Sequence, residues 1–184
     1  MDYYQDIQVI ADAETSAPVL QAQLLMRLHK IMGRVAEGRI GISFPQVKKR
    51  LGDQLRVHGS LGDLTALQQS GWLNGLHDYI SCGEISAVPQ DVCWRVVKRV
   101  QVKSSAERLR RRSVSKGWLS EAEAQQRISL LNEQRSDLPY LLIKSTSNGQ
   151  AYPLFIEHGP VQSSPVAGQF NSYGLSGTAT IPWF

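Results

Sequence analysis

The sequence predicts an α+β fold whose two halves differ in pattern. In the first half, strand-like and helix-like segments follow one another in the order β-α-β-β-α-β. In the second half, a basic strand and a basic helix precede a segment with the pattern of a β-hairpin. The chain has 184 residues, of which 42% are hydrophobic, so it can bury a core in one large domain or two small ones.

Four strands are predicted in the first half. Aromatic and β-branched residues indicate the first, a run ended by Pro45 indicates the second, and alternating polar and apolar residues indicate the third. The fourth is short and follows Gly71. The predicted ranges are 3–10, 38–44, 54–59 and a part of 71–81.

Two helices separate these strands. The first opens at Ser16-Ala-Pro18 and carries apolar residues at helical spacing, whereas Ser60 and Asp63 cap the second. The apolar positions of the first helix are Leu20, Leu24, Leu28 and Ile31. The order of the six elements is that of a ferredoxin-like, or RRM-like, domain with its helices on one face of an antiparallel sheet. We place this domain at residues 1–91.

The second domain, residues 92–184, begins with a strand over 95–103. The polar face of this strand carries Arg99, Gln101 and Lys103. A capping box, Ser104 with Glu107, then predicts a helix of about eleven residues that stops at Gly117.

The rest of the second domain is predicted as a helix, a hairpin and a tail. A second capping box at Ser120 and Glu123 opens a helix that runs to about Gln134. Asn148-Gly149 joins two strand-like runs, 140–147 and 150–158, which is a strong hairpin signal. The tail over 168–177 is predicted as a glycine-bounded strand or loop.

Positive charge is concentrated in one stretch, residues 95–116. It holds nine lysines and arginines against one acid, a formal +8, while the whole chain carries +4. On the predicted helix, an arc of about 140° contains five polar residues, which are Arg108, Arg111, Arg112, Ser115 and Lys116. Such a face attracts polyanions and favours binding to RNA or DNA over packing on a core. The alternative is an ordinary solvated basic face.

Other classes of protein lack their signals here. The start of the sequence has no signal-peptide pattern, and no apolar run is long enough to span a membrane. Cys82 and Cys93 have no metal-ligand spacing, so we expect a reducing cytoplasm and no zinc site. A phosphate-binding glycine loop is also missing from the sequence.

The residues that could carry chemistry each have two interpretations on pattern alone. His29, beside Leu25 and Met32 on the first helix, is a packing residue or a general base. Ser145 and Ser147 serve the turn or hold a substrate. Two aromatic residues are equally open: Tyr152 is a cross-strand contact or a platform for base stacking, and Tyr173 is a core aromatic or a hydroxyl donor.

Several motifs, taken in order, resemble one family. They are Arg99-Val-Gln101, Glu107-Arg-Leu-Arg-Arg-Arg112, Ser145-x-Ser147-x-Gly149-Gln150, Tyr173-Gly-Leu-Ser176 and the terminal Pro182-Trp-Phe184. With His29 and the Gly41–Pro45 strand, they resemble the type I-F CRISPR repeat-processing endoribonucleases of the Cas6 superfamily over nearly the whole chain.

The resemblance implies an activity and partners. The family binds the stem-loop of the CRISPR repeat RNA and cuts the precursor at the 3′ base of the stem by 2′-hydroxyl attack, without metal or other cofactor. We therefore expect a crRNA-maturing endoribonuclease that stays bound to its product and joins the subunits of a type I-F surveillance complex in the cytoplasm.

The resemblance also assigns roles to residues. His29 is implied as the general base, Ser145 as the residue that holds the 2′-hydroxyl and Tyr173 as the residue that orients the histidine. Arg99 and Gln101 would read base edges. The remaining implied RNA contacts are Lys103, Arg108, Arg111, Arg112, Lys116, Ser147 and Tyr152, the last by stacking on the terminal base pair. Ser115 and Gly117 replace basic residues found in some relatives.

Two rival functions use the same basic helix. One is a non-catalytic subunit of a CRISPR ribonucleoprotein that binds hairpin RNA. The other is a DNA-binding regulator, which is disfavoured because no helix-turn-helix pattern frames the helix.

Overall fold

The computed structural model describes residues 1–101, 106–128, 137–144 and 149–184, and it describes residues 106–108 by their backbone alone. The described chain forms two compact units. One comprises Met1–Val100 with Leu138–Phe184, and the other comprises Gln101–Asp137. The fold is α+β with antiparallel sheets, as predicted.

The first sheet of the larger unit contains five strands. They are β1 (Tyr3–Val9), β2 (Gly41–Ser43), β3 (Gln54–Gly59), β4 (Ile80–Cys82) and β5 (Ser86–Ala87). Four lie in the order β2-β3-β1-β4, β5 pairs with β1 beside this path, and every pairing is antiparallel. The first and third strands agree with the predictions. The second is shorter than predicted, because Gly38 adopts a φ of +79° in the turn that precedes it.

Two helices pack on this sheet, α1 (Ala17–Val35) and α2 (Leu61–Gln69). The predicted apolar stripe of α1 is buried at Leu20, Leu24 and Leu28, whereas Ile31 is half-buried. The predicted cap of α2 is present, since Ser60 Oγ accepts a hydrogen bond from the Asp63 backbone N–H at 3.1 Å. A 3-10 turn at His77–Tyr79 leads into β4.

The second sheet of the larger unit comprises strands from the predicted second domain. They are β6 (Cys93–Val100), β7 (Tyr140–Lys144), β8 (Ala151–Gln162) and β9 (Thr180–Trp183), in the order β7-β8-β6-β9. The antiparallel pairing of β7 with β8, which sets Lys144 opposite Ala151, agrees with the predicted hairpin, whereas predicted strand residues 145–147 and Asn148 of the turn lie outside the described residues. The strand predicted to continue to residue 103 ends at Val100, and Val102 and Lys103 lie outside the described residues. The tail over 168–177 forms turns and no strand.

One hydrophobic cluster joins both sheets of this unit. Its members come from α1 and α2, from the inner faces of β1 to β3, and from the inner faces of β6 to β9. Helix α1 packs against β7 as well as β1, and β2 contacts β9. The first helix therefore lies where it can bring a residue of the N-terminal half next to residues of the C-terminal half.

The smaller unit contains α3 (Ala106–Ser115) and α4 (Glu121–Arg127), which pack together. Gly117, two residues after the end of α3, has a φ of +69°, which agrees with its predicted role as the stop of this helix. The capping box of Ser120 and Glu123 is present, but the predicted box of Ser104 and Glu107 lies outside the described side chains. Helix α4 ends at Arg127, because Ile128 leaves helical dihedral angles. Residues 129–134 of the predicted continuation lie outside the described part.

None of the helices in the described ranges is long and apolar enough to cross a membrane.

Candidate active site

His29 lies on the flank of α1 and is stacked on Tyr173. The two ring centroids are 4.1 Å apart and the ring planes differ by 4°. The neighbouring helix positions Leu25 and Met32 are buried, so the helix is anchored in the core beside the histidine. His29 Nδ1 is itself buried and has no hydrogen-bond partner among the described residues. The stack therefore fixes the plane of an imidazole that keeps unused hydrogen-bonding capacity.

Tyr173 is held by the turn that carries it. Asn171 Oδ1 accepts hydrogen bonds from the backbone N–H groups of Tyr173 and Leu175, at 2.8 and 3.2 Å. Gly174 takes a φ of +73°, and its carbonyl accepts a hydrogen bond from the Ile42 N–H of β2 at 2.9 Å. The turn is thus tied to the edge of the first sheet, and the tyrosine ring can lie flat on His29.

Tyr152 on β8 extends this contact. Its hydroxyl oxygen lies 2.9 Å from the hydroxyl oxygen of Tyr173, and the two are hydrogen-bonded. Arg99 on β6 places its guanidinium carbon 5.6 Å from the centre of the Tyr152 ring. Burial and the hydrogen bond with Tyr152 raise the pKa of Tyr173 to about 12. Tyr173 therefore stays protonated near neutral pH and can position a neighbour but cannot act as a base.

The structure thus brings together four residues predicted from different parts of the sequence. His29, Tyr173, Tyr152 and Arg99 form one connected group within the larger unit. Ser145 and Ser147 lie outside the described residues, in the segment that directly follows β7. Helix α1, which carries His29, packs on β7. A histidine of fixed orientation beside a neutral hydroxyl suits proton transfer.

The basic helix α3 belongs to the smaller unit. Its side chains Arg111 and Arg112 are exposed, and so are Lys116, which directly follows the helix, and Gln101. Arg110 differs, because its Nε donates to the Ile128 carbonyl oxygen at 2.8 Å and thus ties α3 to the end of α4. Val114 is 38% exposed, which agrees with a helix that carries no broad core stripe. The side chain of Arg108, like Lys103, lies outside the described part of the chain.

A family model with the description "CRISPR-associated protein (Cas_Csy4)" matches residues 4–184. The chain belongs to this family. Two relatives are each called CRISPR-associated endonuclease Cas6/Csy4. One, from Escherichia coli (strain UTI89 / UPEC), is 51% identical over 184 residues, and the other, from Pseudomonas aeruginosa (strain UCBPP-PA14), is 43% identical over 187 residues. Both alignments cover 100% of this chain and 100% of the relative.

Membership of the Cas_Csy4 family confirms the resemblance found in the motifs. It also confirms that the chain is an enzyme, a CRISPR-associated endonuclease.

Two contacts of this Cas_Csy4 family member are not among the sequence-based predictions. The Asn171 side chain supports the turn, for which Asn-x-Tyr-Gly is a weak local signal of an Asx turn. The hydrogen bond between the hydroxyls of Tyr152 and Tyr173 has no local signal, because it depends on how β8 and the tail meet.

Two further histidines, the buried His58 and the half-buried His158, make contacts outside this group. His58 on β3 is fully buried, and its Nε2 lies 2.8 Å from Ser43 Oγ. His158 on β8 accepts a hydrogen bond from the Phe44 N–H through Nε2 at 3.3 Å. Burial, with the nearby charge of Arg56, lowers the pKa of His58 to about 3, and burial with Arg95 lowers that of His158 to about 4. Both are therefore neutral in the folded protein near pH 7.

A metal centre has no ligand set in the described ranges. No group of three His, Cys, Asp or Glu side chains lies close enough there to hold an ion. Cys82 and Cys93 are exposed free thiols.

Proposed function

We propose that this chain is a metal-independent endoribonuclease that binds the stem-loop of a CRISPR repeat and cuts precursor CRISPR RNA at the 3′ base of the stem. The stack of His29 on Tyr173, within a member of a family of CRISPR-associated endonucleases, supports this proposal most directly. Both relatives are called endonucleases, and each aligns with this chain over its full length.

The proposed step is an attack by the RNA on itself. His29 takes the proton of the ribose 2′-hydroxyl, the 2′-oxygen bonds to the adjacent phosphorus, and the bond from phosphorus to the 5′-oxygen breaks. The leaving 5′-oxygen takes up a proton, so the products are a 2′,3′-cyclic phosphate and a 5′-hydroxyl. This chemistry needs a base and an aligned nucleophile and does not require a metal.

Three side chains would align the reacting atoms. Tyr173 would hold the His29 ring, as its flat stacking and neutral hydroxyl suggest. Ser145 would hold the 2′-hydroxyl, a role that comes from the resemblance. Ser147 would contact the RNA near the cut.

The RNA stem would be bound by the basic surfaces. The exposed side chains of Arg111, Arg112 and Lys116, together with Arg108, would enter the major groove near the end of the stem. Arg99 and Gln101 would read base edges, since arginine suits guanine and a side-chain amide suits adenine. Lys103 would add a phosphate contact, and Tyr152 would stack on the terminal base pair.

We propose further that residues 1–91 form a ferredoxin-like domain and residues 92–184 an RNA-binding domain. The strand order β2-β3-β1-β4 with two intervening helices supports the first assignment. The protein would remain bound to the mature crRNA, join the subunits of a type I-F surveillance complex and work in the cytoplasm.

Incubation of repeat RNA with protein in EDTA tests the activity. We expect wild-type protein to cut at one position, and the His29→Ala variant to bind the RNA but not cut it. If wild-type protein binds the stem-loop without cutting it in EDTA or in Mg²⁺, the chain is a non-catalytic RNA-binding subunit. If His29→Ala binds and cuts at the wild-type rate, His29 is a packing residue.

A pair of variants tests the role of helix α3. Arg112→Ala should weaken binding of the stem-loop about tenfold or more, because a guanidinium can hold a base by two hydrogen bonds. Lys116→Ala should weaken it less, because lysine offers a point charge. Equal losses at one fixed salt concentration would contradict a reading role for Arg112.

A further inference from the structure

The loop between β2 and β3 carries a second basic cluster, Lys48-Lys49-Arg50. All three side chains are exposed. The formal charge of the chain is +4, and taking away the +8 of residues 95–116 and the +3 of this cluster leaves −7 for all other residues. The net positive charge of the protein is thus concentrated in two separate segments of the sequence. Only the segment 95–116 contributes to the motifs described above.

The loop has a fixed conformation that projects these cations outward. Val47 packs against the core just before them, and Leu51, 3% exposed, is buried just after them. Within the loop, the Lys48 N–H donates to the Arg50 carbonyl oxygen at 2.9 Å. Gly52 adopts a φ of +82°, which favours glycine at that turn. The cluster is therefore held between two buried anchors.

These cations have no acidic partners in the part of the chain that the structure describes. Arg39, Arg56 and Lys98 each form an ion pair with a carboxylate there, but Lys48, Lys49 and Arg50 do not. Three adjacent like charges repel one another, and an anionic ligand would relieve that repulsion. The cluster is thus available to bind phosphates.

The loop lies within reach of the candidate active site in the same unit. β2 contacts the tail where the Ile42 N–H donates to the Gly174 carbonyl oxygen, next to Tyr173. From Ile42 the chain reaches Lys48 in six steps, which span at most about 20 Å. A single strand of RNA that leaves the site could therefore reach the loop within a few nucleotides.

We propose that Lys48, Lys49 and Arg50 bind the phosphates of the single-stranded RNA that flanks the repeat stem. This inference rests on the proposed function and extends it to a second contact surface. Two lysines and an arginine on an exposed loop provide point charges, so the contact is with the backbone and is independent of sequence. It adds affinity for precursor RNA without adding base specificity.

The test compares three RNAs, each blocked against cleavage by one 2′-deoxy nucleotide. One is the repeat stem-loop alone, and the others carry a single-stranded extension of eight nucleotides on the 5′ or the 3′ side. Affinities are measured at 50 and 200 mM salt for wild type, for Lys48→Gln/Lys49→Gln/Arg50→Gln, and for the charge-preserving Lys48→Arg/Lys49→Arg. Thermal unfolding of each variant checks that it folds.

For wild type, one extension should raise the affinity above that for the bare stem-loop. This ratio of affinities should fall about 20-fold from 50 to 200 mM salt, as three single-strand phosphate contacts imply. The glutamine variant should lose this gain and bind the bare stem-loop normally, and the arginine variant should keep it. The extension that shows the effect identifies the flank. The proposal would be overturned if the glutamine variant kept the affinity gained from the extension, or if it lost as much affinity for the bare stem-loop as for the extended RNA. The first result would leave an acidic protein surface as the partner of the cluster. Failure of wild type to bind the bare stem-loop would instead refute the proposed function.

Discussion

Acidification should destabilise this protein well above the pH at which its carboxylates titrate, because it holds two neutral histidines, one buried and one half-buried. His58 and His158 lie in the larger unit with pKa values lowered to about 3 and about 4. In the unfolded chain both titrate near pH 6.5. Below pH 6.5 the unfolded state therefore binds more protons than the folded state, and stability falls as the pH falls.

The magnitude follows from this difference in bound protons. Each histidine lowers the free energy of unfolding by about 1.4 kcal/mol at pH 5.5 relative to pH 8, so the pair lowers it by about 3 kcal/mol. The result depends little on the folded pKa values, provided that both lie well below 5.5. Asp63 and Glu123 do not contribute in this range, because their pKa values are lowered from already acidic ones.

Urea unfolding at pH 8, 6.5 and 5.5 measures the effect. The His158→Gln variant should keep about half of the pH dependence, even if it is less stable at every pH. The His77→Gln variant is the control, since His77 is exposed, and it should behave like wild type. A change below about 1 kcal/mol in wild type, or an unaltered change in His158→Gln, would refute the reasoning.

Two substitutions test the geometry around Tyr173. Gly174→Ala should slow cleavage and cost about 1–2 kcal/mol of stability from its positive φ alone. A Cβ at this position would also lie 2.8 Å from Ile42 Cγ2. Gly177→Ala is the control, because a Cβ there meets nothing within 4 Å, and it should be neutral in the same cleavage and unfolding assays. Tyr152→Phe should slow single-turnover cleavage about tenfold while RNA affinity stays constant, because it leaves the buried Tyr173 hydroxyl without its partner but keeps the ring. Tyr140→Phe, on a side chain that is 55% exposed, is the matched control, and equal rates for the two variants would show that the hydroxyl contact has no role.

The sequence predicts the elements whose signals are local. The alternation in β3 and the caps at Ser60 and Ser120 depend on residues a few positions apart, and the structure has them as predicted. Strand β9 was not predicted, because Pro182 argues against a strand unless it lies at a sheet edge, and β9 does lie at an edge.

The candidate site depends on tertiary contacts that periodicity does not reveal. His29 on its helix looks like any half-buried helical histidine, and only the packing of α1 across both sheets brings it to Tyr173. The resemblance implies a role for each of these two residues. The resemblance does not predict the hydrogen bond between the hydroxyls of Tyr152 and Tyr173, because that contact depends on the position of β8 beside the tail.

The proposed mechanism makes the RNA supply its own nucleophile, and a single substitution in the RNA tests this most directly. A 2′-deoxy nucleotide immediately upstream of the scissile phosphate should abolish cleavage by wild-type protein and leave binding nearly unchanged, since the stem and its phosphates are intact. The unmodified RNA should give a 2′,3′-cyclic or 3′ phosphate on one product and a 5′-hydroxyl on the other. Cleavage of the deoxy substrate, or a 5′-phosphate product, would contradict the mechanism and indicate attack by activated water.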